Sequence, residues 1–195
     1  LYTVQEVGLA TALISSLALV VLFATLGFDS SVIRFLPLED KGKVISTSLI
    51  VTAGASILVG GIYILLARVL TPAMTLWQEP GYSLAFILIA LLNSIAVMGG
   101  YVFVADRKAD LFFLQSLMQA IRIPVLFPLT LLGTLGIFAA IGLGYLAAAI
   151  LCLAKIHMAI SPIRRQVDGE FIHRSFRFSS LNYLSSLLYA APTLI

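Results

Sequence analysis

Charged residues are scarce in this sequence. Only 11% of its 195 residues are Asp, Glu, Lys or Arg, whereas 61% are hydrophobic, and the mean hydropathy is +1.08. Soluble domains carry about 25% charged residues, so the composition excludes a water-soluble core. The single cysteine, Cys152, excludes an intrachain disulfide. We therefore expect an integral membrane protein with several helices.

Signatures of catalysis and of bound cofactors are also missing from the sequence. It contains no G-x-x-x-x-G-K-S/T loop, which excludes ATP binding of that kind. His157 and His173 lack the spacing of metal ligands, which favours solvated histidines over zinc ligands. We expect no enzyme activity, no cofactor and no metal. The basic residues adjoin apolar segments, so topology and anionic headgroups explain them better than nucleic acid does.

Long apolar runs predict the membrane helices. About 20 residues at 1.5 Å each cross a hydrocarbon core of about 30 Å. The sequence therefore predicts an all-α fold, a polytopic transmembrane helical bundle of about six membrane helices, the last beginning near Phe178. The five complete segments are Val7–Gly27, Val44–Ala67, Tyr82–Ala105, Leu111–Gly133 and Thr134–Ala154.

The connections between these segments alternate in basic content. Ten of the 12 Lys and Arg residues follow the first, third and fifth segments, in Phe28–Lys43, Asp106–Asp110 and Lys155–Arg177. The intervening connections hold only Arg68. The positive-inside rule predicts that the three basic connections are cytoplasmic and that the Arg68–Gly81 connection lies outside.

One arginine lies inside an apolar segment. Arg122 is near the middle of Leu111–Gly133, where insertion costs about 2.5 to 3.5 kcal/mol. Lys108, Gln115, Gln119 and Arg122 follow at helical spacing and share one face. Pro124 and Pro128 lack the N–H groups that would bond the carbonyls four residues earlier. The cation and these carbonyls predict part of a polar pathway, or an arginine that the freed carbonyls and neighbouring helices satisfy.

Several segments carry small or polar residues at helical spacing. In the second and fifth segments these stripes favour close helix packing over substrate lining. Their members are Ser48, Thr52, Ser56 and Gly60, and Gly136, Ala140, Gly144 and Ala148. The sixth segment has a longer polar stripe that includes Ser175, Ser179 and Asn182. Hydrogen bonding between helices and the lining of a cavity both account for that stripe.

The stretch after the first segment carries a resemblance to a known family. Its sequence is GFDSSVIRFLP, residues Gly27–Pro37. A glycine at a helix end, an acidic turn and an arginine in an apolar run resemble the oligosaccharide flippases. These are the polysaccharide-export and O-antigen flippases of the multidrug/oligosaccharidyl-lipid/polysaccharide superfamily. Ala105–Pro128 and Arg177–Tyr183 are similar too.

The resemblance implies a transporter of two lobes that works by alternating access. It would flip a polyprenyl-pyrophosphate-linked oligosaccharide to the outer leaflet of a prokaryotic plasma membrane, for cell-surface polysaccharide synthesis. Residues 1–155 would be the N-terminal lobe without its first helix, 156–177 the cytoplasmic inter-lobe loop, and 178–195 the start of the next helix. Because the chain lacks an initial Met and stops in an apolar run, we expect a longer protein.

Buried positive charge suits the pyrophosphate of such a substrate, since arginine pairs with phosphate through two hydrogen bonds. Membrane lipids are the other expected partner. Arg34 is also explained by anchoring at the cytoplasmic interface. The candidate substrate-binding residues are Arg122, Gln119, Gln115, Arg34, Asn182 and Ser179.

Three other classes compete with a flippase. A proton- or sodium-coupled small-molecule or multidrug exporter needs an intramembrane carboxylate, and no Asp or Glu lies at the centre of any segment. A membrane-embedded glycosyltransferase or polymerase needs a large polar loop with acidic residues, whereas the longest loop here is short and basic. A purely structural membrane protein gives no reason for Arg122.

Overall fold

The chain folds as a bundle of helices. The computed structural model describes residues 3–70, 78–160 and 167–178, and every regular element within these ranges is helical. A 3-10 turn, Pro128–Leu132, precedes α7. The helices are α1 (Val4–Thr25), α2 (Phe28–Phe35), α3 (Lys41–Leu70), α4 (Pro80–Ala105), α5 (Ala109–Ala120), α6 (Arg122–Leu126), α7 (Thr134–Ala159) and α8 (169–178).

Five stretches of the described chain are long and apolar enough to cross a membrane. They are α1, α3, α4, the α5–α6 pair (Ala109–Leu126) and α7. The prediction of a helical bundle with five complete spans is therefore confirmed. The sixth span was predicted from Phe178 onward, and the residues after Phe178 lie outside the described part of the chain.

Helix α4 is the axis of the bundle. It packs against α1, α2, α3, α5 and α7. Aromatic rings fix its N-terminal half, since Phe86 stacks between Tyr63 of α3 and Phe138 of α7, with ring centroids 5.4 and 6.4 Å apart. At its other half, Phe103 is fully buried in a cluster shared with α2, α3 and α7. Every other spanning helix is thus positioned by contact with α4.

The small-residue stripes lie in helix contacts, as predicted. Ser48, Thr52, Ser56 and Gly60 of α3 are buried, and so are Gly136, Ala140, Gly144 and Ala148 of α7. Small side chains let helices approach closely, which is the main source of packing energy between apolar helices. Helices α4 and α7 approach closely at Gly99, where an added Cβ would lie 2.7 Å from Cys152.

Local sequence signals set the helix ends. Thr3 and Glu6 form a capping box at the start of α1. The turn into α2 needs a left-handed backbone, which Leu26 and Gly27 supply with φ values of 51° and 74°. The Asp40 carboxylate accepts the Lys43 N–H at the start of α3, 3.1 Å away.

The three basic connections meet at one end of the bundle. Asp106, after α4, pairs with Lys41 of α3 and with Lys108, 3.2 Å away. Glu39 pairs with Arg174 of α8 at 3.1 Å. This shared end supports the predicted topology, in which all three connections occupy one compartment.

The stretch predicted as an inter-lobe loop is largely helical where it is described. Helix α7 continues to Ala159, and α8 occupies residues 169–178. The Asp168 carboxylate caps α8 by accepting the N–H groups of Glu170 and Phe171 at 3.0 and 3.2 Å. Phe171 packs edge-on against Phe28 of α2, with centroids 6.0 Å apart.

The fourth segment is broken at its prolines, as predicted. The segment Leu111–Gly133 contains α5, which ends at Ala120, α6, which ends at Leu126, and a 3-10 turn. Proline is the physical cause: the first break falls four residues before Pro124, and the 3-10 turn begins at Pro128. The expected loss of regular helix at the prolines is therefore confirmed.

Candidate functional site

The break between α5 and α6 positions the intramembrane arginine. The Ile121 N–H donates to the Met118 carbonyl at 3.2 Å. This hydrogen bond spans three residues, as in a 3-10 turn, and it tightens the backbone just before Arg122. Arg122 is then the first residue of α6. Two short helical pieces therefore meet at the one basic residue of this segment.

Arg122 lies beside the middle of α7. A Cβ placed on Gly144 would be 3.3 Å from the Cβ of Arg122 and 3.0 Å from the Gln119 carbonyl oxygen. Gly144 is ten residues into α7, or roughly 15 Å along it at 1.5 Å per residue. Gly144 thus provides the space in which the broken helix approaches α7.

The Arg122 guanidinium is only half-buried and makes no hydrogen bond or ion pair with the residues that the structure describes. Satisfaction by the freed carbonyls, the alternative explanation for this residue, has no support among these contacts. Desolvating an unpaired cation costs free energy. The charge is therefore available to an anionic ligand.

Gln115 and Gln119 line one cavity of about 320 Å³. Gln115 is only 4% exposed, and its Nε2 donates to the Ala96 carbonyl at 2.7 Å. Its Oε1 has no donor in the described structure. Tyr101 of α4 and Ser116 of α5 add two hydroxyl groups to the same wall. Arg122 does not line this cavity, but follows Gln119 by three residues.

A second cavity, of about 360 Å³, lies on the other side of Tyr101. Asp29 of α2, Asn93 of α4 and Thr25 of α1 contribute its other polar groups. Asp29 is half-buried, and within the described residues no donor or cation bonds its carboxylate. The second cavity therefore has a free acceptor in its wall, whereas the unpaired Oε1 of Gln115 beside the first cavity is fully buried.

Sequence reasoning missed the second cavity because it considered only the centres of the apolar segments. Asp29 stands in the turn between α1 and α2, and the bend returns its side chain to the bundle. Asn93 was an available signal, since it is a lone amide within the apolar sequence of α4 and is only 7% exposed.

Arg34 is separate from these cavities. It is exposed, and its guanidinium lies over the ring of Phe178, 4.3 Å from the centroid. The neighbouring Ile33 lines the first cavity, but Arg34 does not. Stacking of a cation on an aromatic ring favours the anchoring interpretation.

Two predicted residues, Ser179 and Asn182, lie outside the described residues. Of their stripe, Ser175 is described: it is fully buried, and its carbonyl accepts the Ser31 hydroxyl at 3.5 Å. The beginning of the stripe thus contacts α2.

Lys41, Lys108 and Arg174 at the basic end differ from Arg122, because each of them pairs with a carboxylate. Burial alone would raise the pKa of Asp106, but hydrogen bonds and attraction from Lys41 and Lys108 outweigh it and lower the pKa below the usual value.

Within the described residues no group of three His, Cys, Asp or Glu side chains could hold a metal ion.

Comparison with known proteins assigns no family. The chain matches no protein-family model, no curated protein and no solved structure. Any function must therefore be argued from the bundle, the unpaired Arg122 and the two cavities that Tyr101 lines.

Proposed function

We propose that this chain is part of a membrane transporter that flips a polyprenyl-pyrophosphate-linked oligosaccharide from the inner to the outer leaflet of a prokaryotic plasma membrane. The observation that carries the proposal is the unpaired Arg122 guanidinium at the break between α5 and α6. A structural arginine in an apolar segment is expected to find acceptors in its own protein. Arg122 finds none in the described residues, and a diphosphate would supply the missing acceptors.

The surroundings of Arg122 suit a ligand with one charged end and one polar, uncharged part. Arginine binds a diphosphate through paired, charge-assisted hydrogen bonds. The first cavity is lined by Gln119, one helical turn before Arg122. It offers amide and hydroxyl groups, and none of its described lining residues is a cation. The lipid tail would remain among the exposed apolar residues of this region, which include Phe113, Leu117 and Ile123.

The break also supports movement in an alternating-access cycle. Residues 121–133 lack a continuous ladder of helical hydrogen bonds, so they can change conformation at a smaller cost than α4 can. A conformational change here carries Arg122 with it. The flippase would thus move its charged contact by bending at Pro124 and Pro128 while α4 remains the fixed axis.

The proposal is tested by removing the charge in cells that depend on this protein for glycan export. We expect Arg122→Gln to abolish export, and the lipid-linked precursor to accumulate in the inner leaflet, because the diphosphate loses its cation. Arg122→Lys keeps the charge without the planar fork, and should retain partial export. Membrane insertion should be preserved, because a central arginine is costly to insert.

Arg107→Gln is the matched control. Arg107 is exposed in the connection between α4 and α5, and its replacement changes the net charge by the same amount. It should export normally. Normal export by Arg122→Gln, at a membrane level equal to that of the control, would contradict the proposal.

A proton- or sodium-coupled exporter is the second candidate, and Asp29 is the observation that favours it. The carboxylate that such a mechanism needs stands in a cavity wall rather than at a segment centre. In reconstituted vesicles, a sodium or proton gradient should then drive uptake of a small cationic dye, with Asp29→Asn abolishing it. Gradient-independent behaviour of wild-type vesicles would remove this candidate.

A further inference from the structure

The two cavities adjoin each other along α4. Val97 and Tyr101 line both of them, with Asp29 on one side and Gln115 on the other. We call this surface the α4 groove. Each part has a volume, about 320 and 360 Å³, within the range of about 300–1,000 Å³ found for ligand pockets. Together they offer space for a ligand longer than one ring.

One unused acceptor lies in the wall of the α4 groove. The Asp29 carboxylate has no donor in the described part of the chain, and Asp29 is only half-buried. Gln115 has a structural role instead, because its Nε2 donates to the Ala96 carbonyl at 2.7 Å and its Oε1 is fully buried, out of reach of a ligand. A ligand that donates hydrogen bonds would therefore pair with Asp29.

The charge of the α4 groove further restricts the class of ligand that it can bind. Among its described lining residues neither Lys nor Arg occurs, and Asp29 is the one charged side chain. An anionic group would meet repulsion and no counter-charge. The remaining polar groups are amides and hydroxyls, from Asn93, Gln119, Tyr101 and Ser116. These side chains pair with hydroxyl groups as both donors and acceptors.

We propose that the α4 groove binds the sugar part of the transported molecule and that Asp29 selects neutral or amine-bearing sugars against acidic ones. This inference rests on the proposed function, in which Arg122 takes the diphosphate. Sugar hydroxyls and ammonium groups supply the donors that Asp29 lacks, and the rings of Tyr101 and Phe112 offer apolar faces to a sugar ring. The uncharged groove and the charged Arg122 thus recognise different parts of one substrate.

Protection of a cysteine in the groove tests this without any need for transport. Ser116→Cys is placed in a Cys152→Ala background, and its alkylation by N-ethylmaleimide is timed on purified protein. The probes are methyl glucoside, methyl glucosaminide and methyl glucuronide, which share a ring shape and differ in charge. We expect the glucosaminide to protect best. The glucuronide should need a roughly tenfold higher concentration, because Asp29 repels its carboxylate.

Two variants make the result specific. In Asp29→Asn, the concentrations at which the three sugars protect the cysteine should lie within about twofold of one another, because the variant lacks the negative charge that distinguishes them. Leu117→Cys lies on the exposed face of α5, where Leu117 is 50% exposed, and no sugar should protect it. If Cys152→Ala impairs folding, the native background serves, because Cys152 is fully buried and does not compete for the reagent.

Equal protection by all three sugars, or protection by none, would overturn the assignment. These outcomes are independent of the proposed function, which fails if Arg122→Gln exports normally. A protein that exports glycan through Arg122 but shows no selective protection at Ser116→Cys would keep the flippase function and lose the α4 groove as its sugar site.

Discussion

Helix α4 and the α5–α6 pair contrast more sharply than any other two spans of this chain. Both are long and apolar enough to cross a membrane, but 56% of the apolar window of α4 is buried inside the protein, against 11% for Ala109–Leu126. Helix α4 is continuous over 26 residues, whereas the second span is interrupted next to Arg122. The first holds the bundle together, and the second carries its unpaired charge.

The difference shows where a membrane protein tolerates irregular structure. A broken helix at the centre would leave unpaired carbonyls in the packed core and disturb five neighbouring helices at once. At the edge, the same break affects chiefly α7. Because irregular backbone and unpaired charge are tolerated at membrane depth only inside protein or beside a water-filled cavity, we expect the exposed side of α5–α6 to face such surroundings rather than lipid. This is the arrangement expected of a region that moves or binds ligand.

The largest effect on stability is expected at the crossing of α4 and α7. Gly99→Ala would place a methyl group 2.7 Å from Cys152, so the helices must separate. We expect a loss of about 1–3 kcal/mol, typical of an overpacked core. Gly61→Ala is the control, because nothing lies within 4 Å of the added atom, and it should be neutral or gain up to about 1 kcal/mol. Thermal unfolding in detergent measures both.

A similar loss at both glycines would show that α4 is not the tightly packed axis described above.

Substitution to alanine in the α5–α6 span should raise stability, whereas Gly99→Ala in α4 should lower it. Pro124→Ala restores an N–H that can bond the Ala120 carbonyl, so α5 and α6 can join into one helix. We expect higher thermal stability, by about 1 kcal/mol, together with reduced export. Pro80→Ala is the matched control: Pro80 stands in the first turn of α4, where proline is favourable, and its loss should bring no gain.

Increased export by Pro124→Ala, at an equal amount of protein, would contradict a functional role for the break.

The smallest expected effect lies at the basic end, where charges are paired. The lowered pKa of Asp106 means that its stabilising contribution is present above the unfolded pKa of about 3.9 and is lost as the pH falls through the folded pKa. Lys41 is half exposed, so the contribution should be at most about 1 kcal/mol. Unfolding curves between pH 3 and 7 measure it. Asp106→Asn should reduce the loss of unfolding free energy at acid pH. An unchanged pH dependence in this variant would contradict the pairing of Asp106 with Lys41 and Lys108.

The spans were predictable because hydropathy and length are local properties. The stripe from Ser48 to Gly60 was also predictable, since its spacing alone places its members on one face. The break in the fourth segment was predictable too, because it follows from the missing N–H group of Pro124. Asp29 was not predictable, because its place in a cavity wall depends on how the turn at Leu26 and Gly27 directs α2 against α4.

The groove could not be predicted for the same reason. Gln115 was expected to share a face with Arg122, but the structure points its amide at the Ala96 carbonyl of α4 instead. Which polar groups share a wall depends on the angle between α4 and α5, and no local pattern encodes that angle. Spacing identified the polar residues, whereas packing decided which of them act together.

The central claim is that Arg122 is a binding charge rather than a structural one. It is tested most directly by the binding of farnesyl diphosphate, a soluble isoprenyl diphosphate, to purified protein in a calorimeter, with farnesol as the uncharged control. Wild type and Arg107→Gln should bind the diphosphate alike. Arg122→Gln should bind farnesyl diphosphate at least about tenfold more weakly, which is the loss expected for a charge-assisted hydrogen bond. The affinity for farnesol should be the same in all three proteins. Equal affinity of Arg122→Gln and wild type for farnesyl diphosphate would contradict the account.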